Sequence, residues 1–310
     1  LSRNGSYSFR NLEVGTNGWL LLTNQLVTAS NATVLASGGI IADGTGYGPS
    51  QGHGAGRASQ SGTGSGAGHG GYGAASHTAG GGNAYDLAAS PTMPGSGGGL
   101  GSGTPAGGAG GGVVRLSVAG WLYLDGRISA DGETAISLNG GGGAGGSVWL
   151  TVGGLSGSGF ISANGGAGSN PGGGGGGGGR IAVRVTSSTF GSNHFTGTYT
   201  AWGGASGSTN PMRFGGAGTI YLTSNNRSDP DHILADNGGR PGTNTLVSDS
   251  GSFDIIIRDG AIATFPSQYT SIRNLLVASN GWLAAANQFV NIARGTATIE
   301  AGGGIIADRA

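Results

Sequence analysis

The sequence predicts an all-β protein, a parallel β-helix (stacked β-solenoid) with glycine-rich loop insertions. Three observations carry that prediction: apolar residues that alternate with period two, a strand-and-glycine unit that recurs every 33 to 39 residues, and no segment with a 3.6-residue apolar period. Val114, Leu116 and Val118, and then Val148, Leu150 and Val152, fall on one face of a strand; Arg115, Ser117, Trp149 and Thr151 fall on the other. Each unit reads Gly-Gly, a strand, a short turn, a second strand ending in Ala-Asp/Asn-Gly, and a glycine-rich loop. The first strands begin near Val114, Val148, Ile181 and Ile220, so successive units are 34, 33 and 39 residues apart. The second strands run into Asp131, Asn164, Trp202 and, in the fourth unit, from Ile233 into Asn237. A single unit cannot bury its apolar face, so the units must stack.

A longer repetition lies over this one. Arg10-Asn11-Leu12 through Gly18-Trp19-Leu20 is matched by Arg273-Asn274-Leu275 through Gly281-Trp282-Leu283, an offset of 263. Gly39-Ile40-Ile41-Ala42-Asp43 matches Gly304-Ile305-Ile306-Ala307-Asp308 at an offset of 265, so two residues are inserted between. The two tips of the chain are versions of one structure, which fits a longer array cut mid-repeat or units that mate head to tail. The predicted organisation is 1–43 for the first coils, 44–112 for a glycine-rich insertion packed on the solenoid, 113–240 for coils with glycine-rich loops, and 241–310 for terminal coils repeating 1–43.

Composition removes several classes of function. Of 310 residues 74 are glycine, yet the glycines come in runs such as 172–179 rather than on a Gly-X-Y period, and only nine prolines accompany them, so collagen is excluded. Fourteen cations, all Arg, balance fourteen carboxylates, which leaves no basic footprint for nucleic acid and no polybasic stretch for an anionic membrane. The absence of Cys removes disulfides and thiolate chemistry, and the absence of Lys removes a phosphate-loop lysine. No apolar run reaches membrane-spanning length, and an opening Leu1-Ser2-Arg3 without a basic-then-apolar leader is expected of a mature chain or an excised segment. Glycine is the residue most costly to order. The insertion and the loops must therefore be repaid by dense packing of extended, polyproline-II-like strands or by burial against a neighbouring subunit.

The residues able to carry chemistry are scattered. Asp43, Asp131, Asn164, Asp236 and Asp308 in the Ala-Asp/Asn-Gly triplets could ligate calcium, but one oxygen donor per coil reads as turn chemistry. Asp229 with Asp231, Asp254 with Asp259, and Asp131 with Glu133 are the carboxylate pairs, each better read as a strand end or a turn than as a catalytic dyad. His53, His69 and His77 share the insertion without a ligand spacing. The expectation is no catalytic residue, no metal and no cofactor. Trp19, Trp121 and Trp282 each stand in Gly-Trp-Leu, more suited to a stack along the rod than to a sugar platform. Asn4, Asn31 and Asn226 head glycosylation sequons. A flat ice-binding face would need registered rows of Thr, and only Thr296-Ala297-Thr298 offers a start.

The string Gly145-Gly146-Ser147-Val148-Trp149-Leu150-Thr151-Val152, followed by Ile161-Ser162-Ala163-Asn164-Gly165-Gly166 and a glycine run into Arg180-Ile181-Ala182-Val183, resembles glycine-rich repeat regions of large bacterial secreted surface or fibre proteins. The resemblance covers about 98–240 and implies β-helical stalks located extracellularly or at the cell surface. The resulting expectation is a structural protein that forms or extends an extracellular filament by self-assembly, its partner a second copy of itself, with neither nucleic acid nor membrane insertion involved. The residues expected at the contact are Arg10, Asn11, Trp19 and Leu20 with Arg273, Asn274, Trp282 and Leu283. The rival expectation is a β-helical adhesin or carbohydrate-active module with glycans as partners.

Overall fold

The computed structural model describes residues 5–59, 62–102, 107–187, 194–207, 214–225, 231–249, 253–292 and 295–307. Among them the chain is all-β, with mostly parallel sheets and none closed into a barrel. The largest sheet runs β1 (Ser6–Val14), β3 (Leu26–Val34), β5 (Val113–Leu124), β7 (Ser147–Gly157), β9 (Arg180–Val185), β12 (Thr219–Ser224), β13 (His232–Asp236), β15 (Asp254–Arg258), β18 (Asn274–Val277) and β21 (Ala297–Ile299), with β10 (His194–Phe195) beside β7. A second sheet stacks β2 (Trp19–Leu21), β4 (Gly39–Ile41), β6 (Arg127–Ser129), β8 (Phe160–Ser162) and β11 (Thr198–Thr200). A third stacks β14 (Asn244–Leu246), β16 (Ile262–Thr264), β19 (Trp282–Ala284) and β22 (Gly304–Ile306), and a fourth pairs β17 (Tyr269–Ile272) with β20 (Phe289–Ile292).

The sequence spacings are strand registers. Val114 pairs with Val148, Val148 with Ile181 and Ile181 with Ile220, all parallel. Their side chains, with Leu116, Leu150 and Val183, form one aliphatic core together with Ile128 and Ile161 of the second sheet. The fourth unit departs from the expected pattern. β13 is the second strand of its unit, as β6, β8 and β11 are of theirs, but it sits in the large sheet, antiparallel to β12, with Tyr221 opposite Ile233 and Ile220 opposite Leu234. Opposed residues of an antiparallel pair share a face. Tyr221, Ile233, Ala235, Ile255 and Ile257 consequently build a second core, on the opposite face of the sheet from Ile220 and the first. Reversing strand direction and core face together amounts to a half-turn about the stacking direction, so the chain forms two lobes on opposite sides of one continuous sheet.

The 263-residue repetition is also structural. β1 pairs with β3 with Ser6 opposite Leu26, and β17 pairs with β20 with Tyr269 opposite Phe289, the same 20-residue register. Beyond the insertion Leu275 faces Ala297, where the first copy sets Leu12 against Ala32, so the register lengthens by the two inserted residues. In the sequence, four residues separate Ile292 from Ala297 where two, Ser30 and Asn31, separate Ala29 from Ala32. The Asn-Gly turns after the matched strands coincide as well, with Asn17 and Asn280 left-handed at φ 58 and 55.

The glycine-rich segments are ordered by a lattice of backbone hydrogen bonds with a three-residue period. Gly141 and Ala144 donate to Gly99 and Ser96; Gly142 and Gly145 donate to Gly174 and Gly177; Gly143 and Gly146 donate to Glu133 and Ala130. The carbonyls of the same segment accept from Gly108 and Gly111, from Ala67, and from Gly166 and Ser169. Six neighbours around one threefold extended helix is what polyproline-II geometry permits, because that helix makes no internal hydrogen bonds and turns each N–H outward. Side chains have no room there: a Cβ on Gly66 would overlap the Gly175 carbonyl, and one on Gly175 would overlap that of Gly204. Of the two routes expected to repay the ordering of glycine, dense packing is the one observed within the chain. Gly66→Ala is therefore expected to destabilise by about 1–3 kcal/mol, the usual range for overpacking, and to lower the melting temperature by several degrees. Gly48→Ala, where a new Cβ meets only the Gln51 side chain at 3.7 Å, should melt with the parent in the same calorimetric scan.

Candidate functional site

The structure separates the two copies of the predicted contact residues. Arg10, Asn11, Trp19 and Leu20 lie on β1, the turn and β2, at the outer edge of the first lobe. Arg273, Asn274, Trp282 and Leu283 lie one tier inside the other end, covered by β21 and β22. The consequence is visible in matched pairs: Phe9 is 37% exposed while Ile272 is 1%, and Leu12 and Leu20 are half-buried while Leu275 and Leu283 are buried. A hollow of about 300 Å³ opens at the N-terminal edge, lined by Leu12, Val14, Trp19 and Leu20. At the opposite edge Ile299 and Ile305 are each 49% exposed, whereas their counterparts Val34 and Ile40 are fully buried. At both edges inward-facing residues such as Leu20 and Ile305 are thus more exposed than their counterparts inside the chain. Trp19, Trp121 and Trp282 do not stack on one another; each ring lies on the glycine of the next tier, Gly39, Gly154 and Gly304 respectively. Arg127 reaches the Trp19 ring from beyond Gly39, at 5.6 Å.

Between the edges, the triplet Asp and Asn residues bond from tier to tier. Asp43 accepts the Asp131 N–H at 2.8 Å and the Ser129 hydroxyl at 3.0 Å, and it pairs with the Arg127 guanidinium. Asp131 accepts the Asn164 N–H at 2.6 Å and the Ser162 hydroxyl at 3.0 Å. Asn164 accepts the Trp202 N–H at 2.8 Å, and Asn237 accepts the Gly203 N–H at 2.7 Å. Asn237 keeps this place although β13 left the second sheet. These oxygens are consumed by a neighbouring tier, and among the described residues no three His, Asp or Glu converge to hold a metal ion. Asp236 instead pairs with Arg258 at 2.8 Å, and Asp308 lies outside the described residues. Burial, reinforced by the Asp43 charge, pushes Asp131 up to about 6 against the hydrogen bonds it accepts.

A buried polar pin, which the sequence did not single out, joins the glycine insertion to both lobes. Arg180 is fully buried; it donates from Nε and Nη2 to the Tyr85 carbonyl at 2.9 and 2.7 Å, and from Nη1 to Thr219 Oγ1 at 2.9 Å and the Leu246 carbonyl at 3.3 Å. Burial lowers its pKa to about 10, which leaves it charged at neutral pH. His69, also buried, bonds through Nδ1 to the Gly145 carbonyl at 2.8 Å, faces Asp86 at 3.5 Å through Nε2, and packs on the Tyr85 ring. Burial holds His69 below its ordinary range. Burial opposes ionisation of Asp86, yet His69 and the Met93 and Leu87 backbone keep its pKa below the usual carboxylate value. The available signal was positional: Arg180 occupies the register of Val113, Ser147 and Thr219 at a buried strand start, where a charge requires dedicated acceptors.

Among the described residues, Asp254 and Asp259 stand at opposite ends of one strand. Asp254 is held by Arg273 at 2.7 Å and Asn274 at 2.8 Å at one end of β15, and Asp259 sits beside Arg258 at the other. Glu133 accepts the Ala109 N–H rather than meeting Asp131, and Asp229 lies outside the described residues. His53 packs at a tilt on the Tyr85 ring at the surface while His69 packs on the same ring from within. Of the sequons, Asn4 and Asn226 lie outside the described residues; Asn31 is exposed, its Oδ1 accepting the Trp121 N–H at 3.1 Å. No helix long and apolar enough to cross a membrane is found among the described residues. The chain matches no known protein family, no curated protein and no solved structure.

Two outcomes follow from the ladder and the pin. Because the folded pKa of Asp131 lies above its unfolded value of 3.8, its contribution favours the folded state as pH falls from about 6 toward 4 and is lost as pH rises through 6. Asp131→Asn, which copies the Asn164 tier, should melt above the parent at pH 7.5, with the gap closing at pH 4.5; a gap independent of pH would contradict the assignment. Arg180→Met leaves three buried acceptors unpaired and should cost about 2–5 kcal/mol in chemical denaturation.

Proposed function

We propose that the chain is a structural unit, a parallel β-helical solenoid in two lobes, that forms or extends an extracellular fibre by stacking end to end. The observation that carries this reading is the pair of open edges. Each ends the described sheets on partly exposed aliphatic core residues, and each repeats a tier that is covered inside the same chain. Covering what remains exposed of Leu20 or Ile305 is worth about 1 kcal/mol per side chain. The work of such a protein is mechanical, and its partner is itself.

The expectation is that the purified protein forms filaments in negative stain at high concentration. Ile305→Arg should abolish them while shifting the melting temperature by only a few degrees, since the altered side chain sits on a terminal tier. A parent that stays monomeric at every concentration overturns the reading.

One observation favours the adhesin alternative. Tyr269 and Phe289, about 60% exposed, stack in parallel with centroids 5.3 Å apart and offer a flat apolar surface suited to a sugar ring. On that reading Phe289→Ala removes retention on a polysaccharide array that the parent displays, and filament formation is unaffected.

A further inference from the structure

Resting on the end-to-end reading, the repeated tiers fix which surfaces meet and in what register. The N-terminal edge presents Phe9, Leu12, Val14 and Leu20 inward, and inside the chain these face Ala29, Ala32, Val34 and Ile40 across parallel pairs. The C-terminal edge presents Ile292, Ala297, Ile299 and Ile305, the repeat equivalents of that second set. Every member of both sets is apolar, so no charge is buried at the join. The chain therefore already contains, between β1/β2 and β3/β4, the packing that would form between the ends of two copies.

We propose that the C-terminal edge of one copy, β21 with β22, stacks in parallel on the N-terminal edge of a second copy, β1 with β2, setting Ala297 against Leu12, Ile299 against Val14 and Ile305 against Leu20. The proposal has a second geometric consequence. Parallel pairing with continuous cores gives the first lobe of the added copy the orientation of the second lobe before it. That lobe is already a half-turn from its own first lobe, so successive copies alternate by a half-turn about the fibre axis, plus the ordinary twist of the sheets. The glycine bundles, which belong to the first lobe of each copy, then fall on alternating sides of the fibre.

The absence of cysteine makes the register directly measurable. Glu13 and Thr298 point outward on the two edge strands, and the internal pair Glu13 with Thr33 predicts Glu13 opposite Thr298 of the next copy. Glu13→Cys and Thr298→Cys, oxidised together, should give a covalent dimer on a non-reducing gel that neither variant gives alone. Asn11→Cys mixed with Thr298→Cys, two residues out of register, should give none, because Cα atoms more than about 7 Å apart cannot be bridged. Leu21→Cys with Ile306→Cys repeats the test on the second sheet should either first variant fail to fold. Filaments without the in-register dimer overturn the register and leave the end-to-end reading standing. Dimers from one variant alone indicate like ends meeting, and overturn the head-to-tail arrangement. Monomers throughout, with neither filaments nor dimer, overturn both. In filament class averages the bundles should project alternately left and right, and bundles confined to one side contradict the half-turn.

Discussion

Each tier of this chain depends on the tiers on either side of it for much of its backbone hydrogen bonding. The rule covers two kinds of structure at once. In the sheets, parallel strands bond to the strand above and below; in the glycine regions, extended threefold helices bond to as many as six neighbours. Neither arrangement closes completely within a tier, so stability is collective. The apolar rows follow the same rule, since an inward Leu or Ile becomes fully buried only between two neighbours. That is why Leu283 and Leu20, copies of one residue, differ so much in exposure.

The glycine bundle is the costlier part of the design. Fixing glycine gives up more backbone entropy than fixing any other residue, and hydrogen bonds repay little individually. What the bundle gains is density: helices approach until a single added methyl would overlap a neighbouring carbonyl. Arg180 then ties it to the lobes, spanning the insertion, β12 and the carbonyl of Leu246 with one buried guanidinium. The Asp/Asn ladder does the corresponding work on the second sheet, carrying side-chain bonds from Asp43 to Asn237 along the stack.

Much of this was legible in the sequence, for physical reasons. Val114, Val148, Ile181 and Ile220 alternate with polar neighbours at fixed spacing, and fixed spacing is what in-register parallel pairing demands. The matched tips were legible because a repeated tier needs the same inward residues. The reversal at β13 was not, since Ile233-Leu234-Ala235-Asp236 has the same alternation whichever sheet it joins, and only the pairing of Tyr221 with Ile233 decides its direction. Nor did the sequence distinguish an edge copy from an interior one, because the inward residues Leu12, Val14 and Leu20 are identical to Leu275, Val277 and Leu283 and differ only in what covers them. Arg180 was hidden by its setting, a lone charge closing a glycine run, whose meaning depends on acceptors at Tyr85 and Leu246, far off in the chain.

The account stands on the terminal tiers being interfaces waiting for a neighbour. Amide hydrogen exchange as a function of protein concentration addresses this most directly. Protection should rise with concentration in β1, β2, β21 and β22 together, while the interior strands stay uniformly slow. Edge amides that exchange at the same fast rate at every concentration, or protection that rises elsewhere in the chain first, would contradict it.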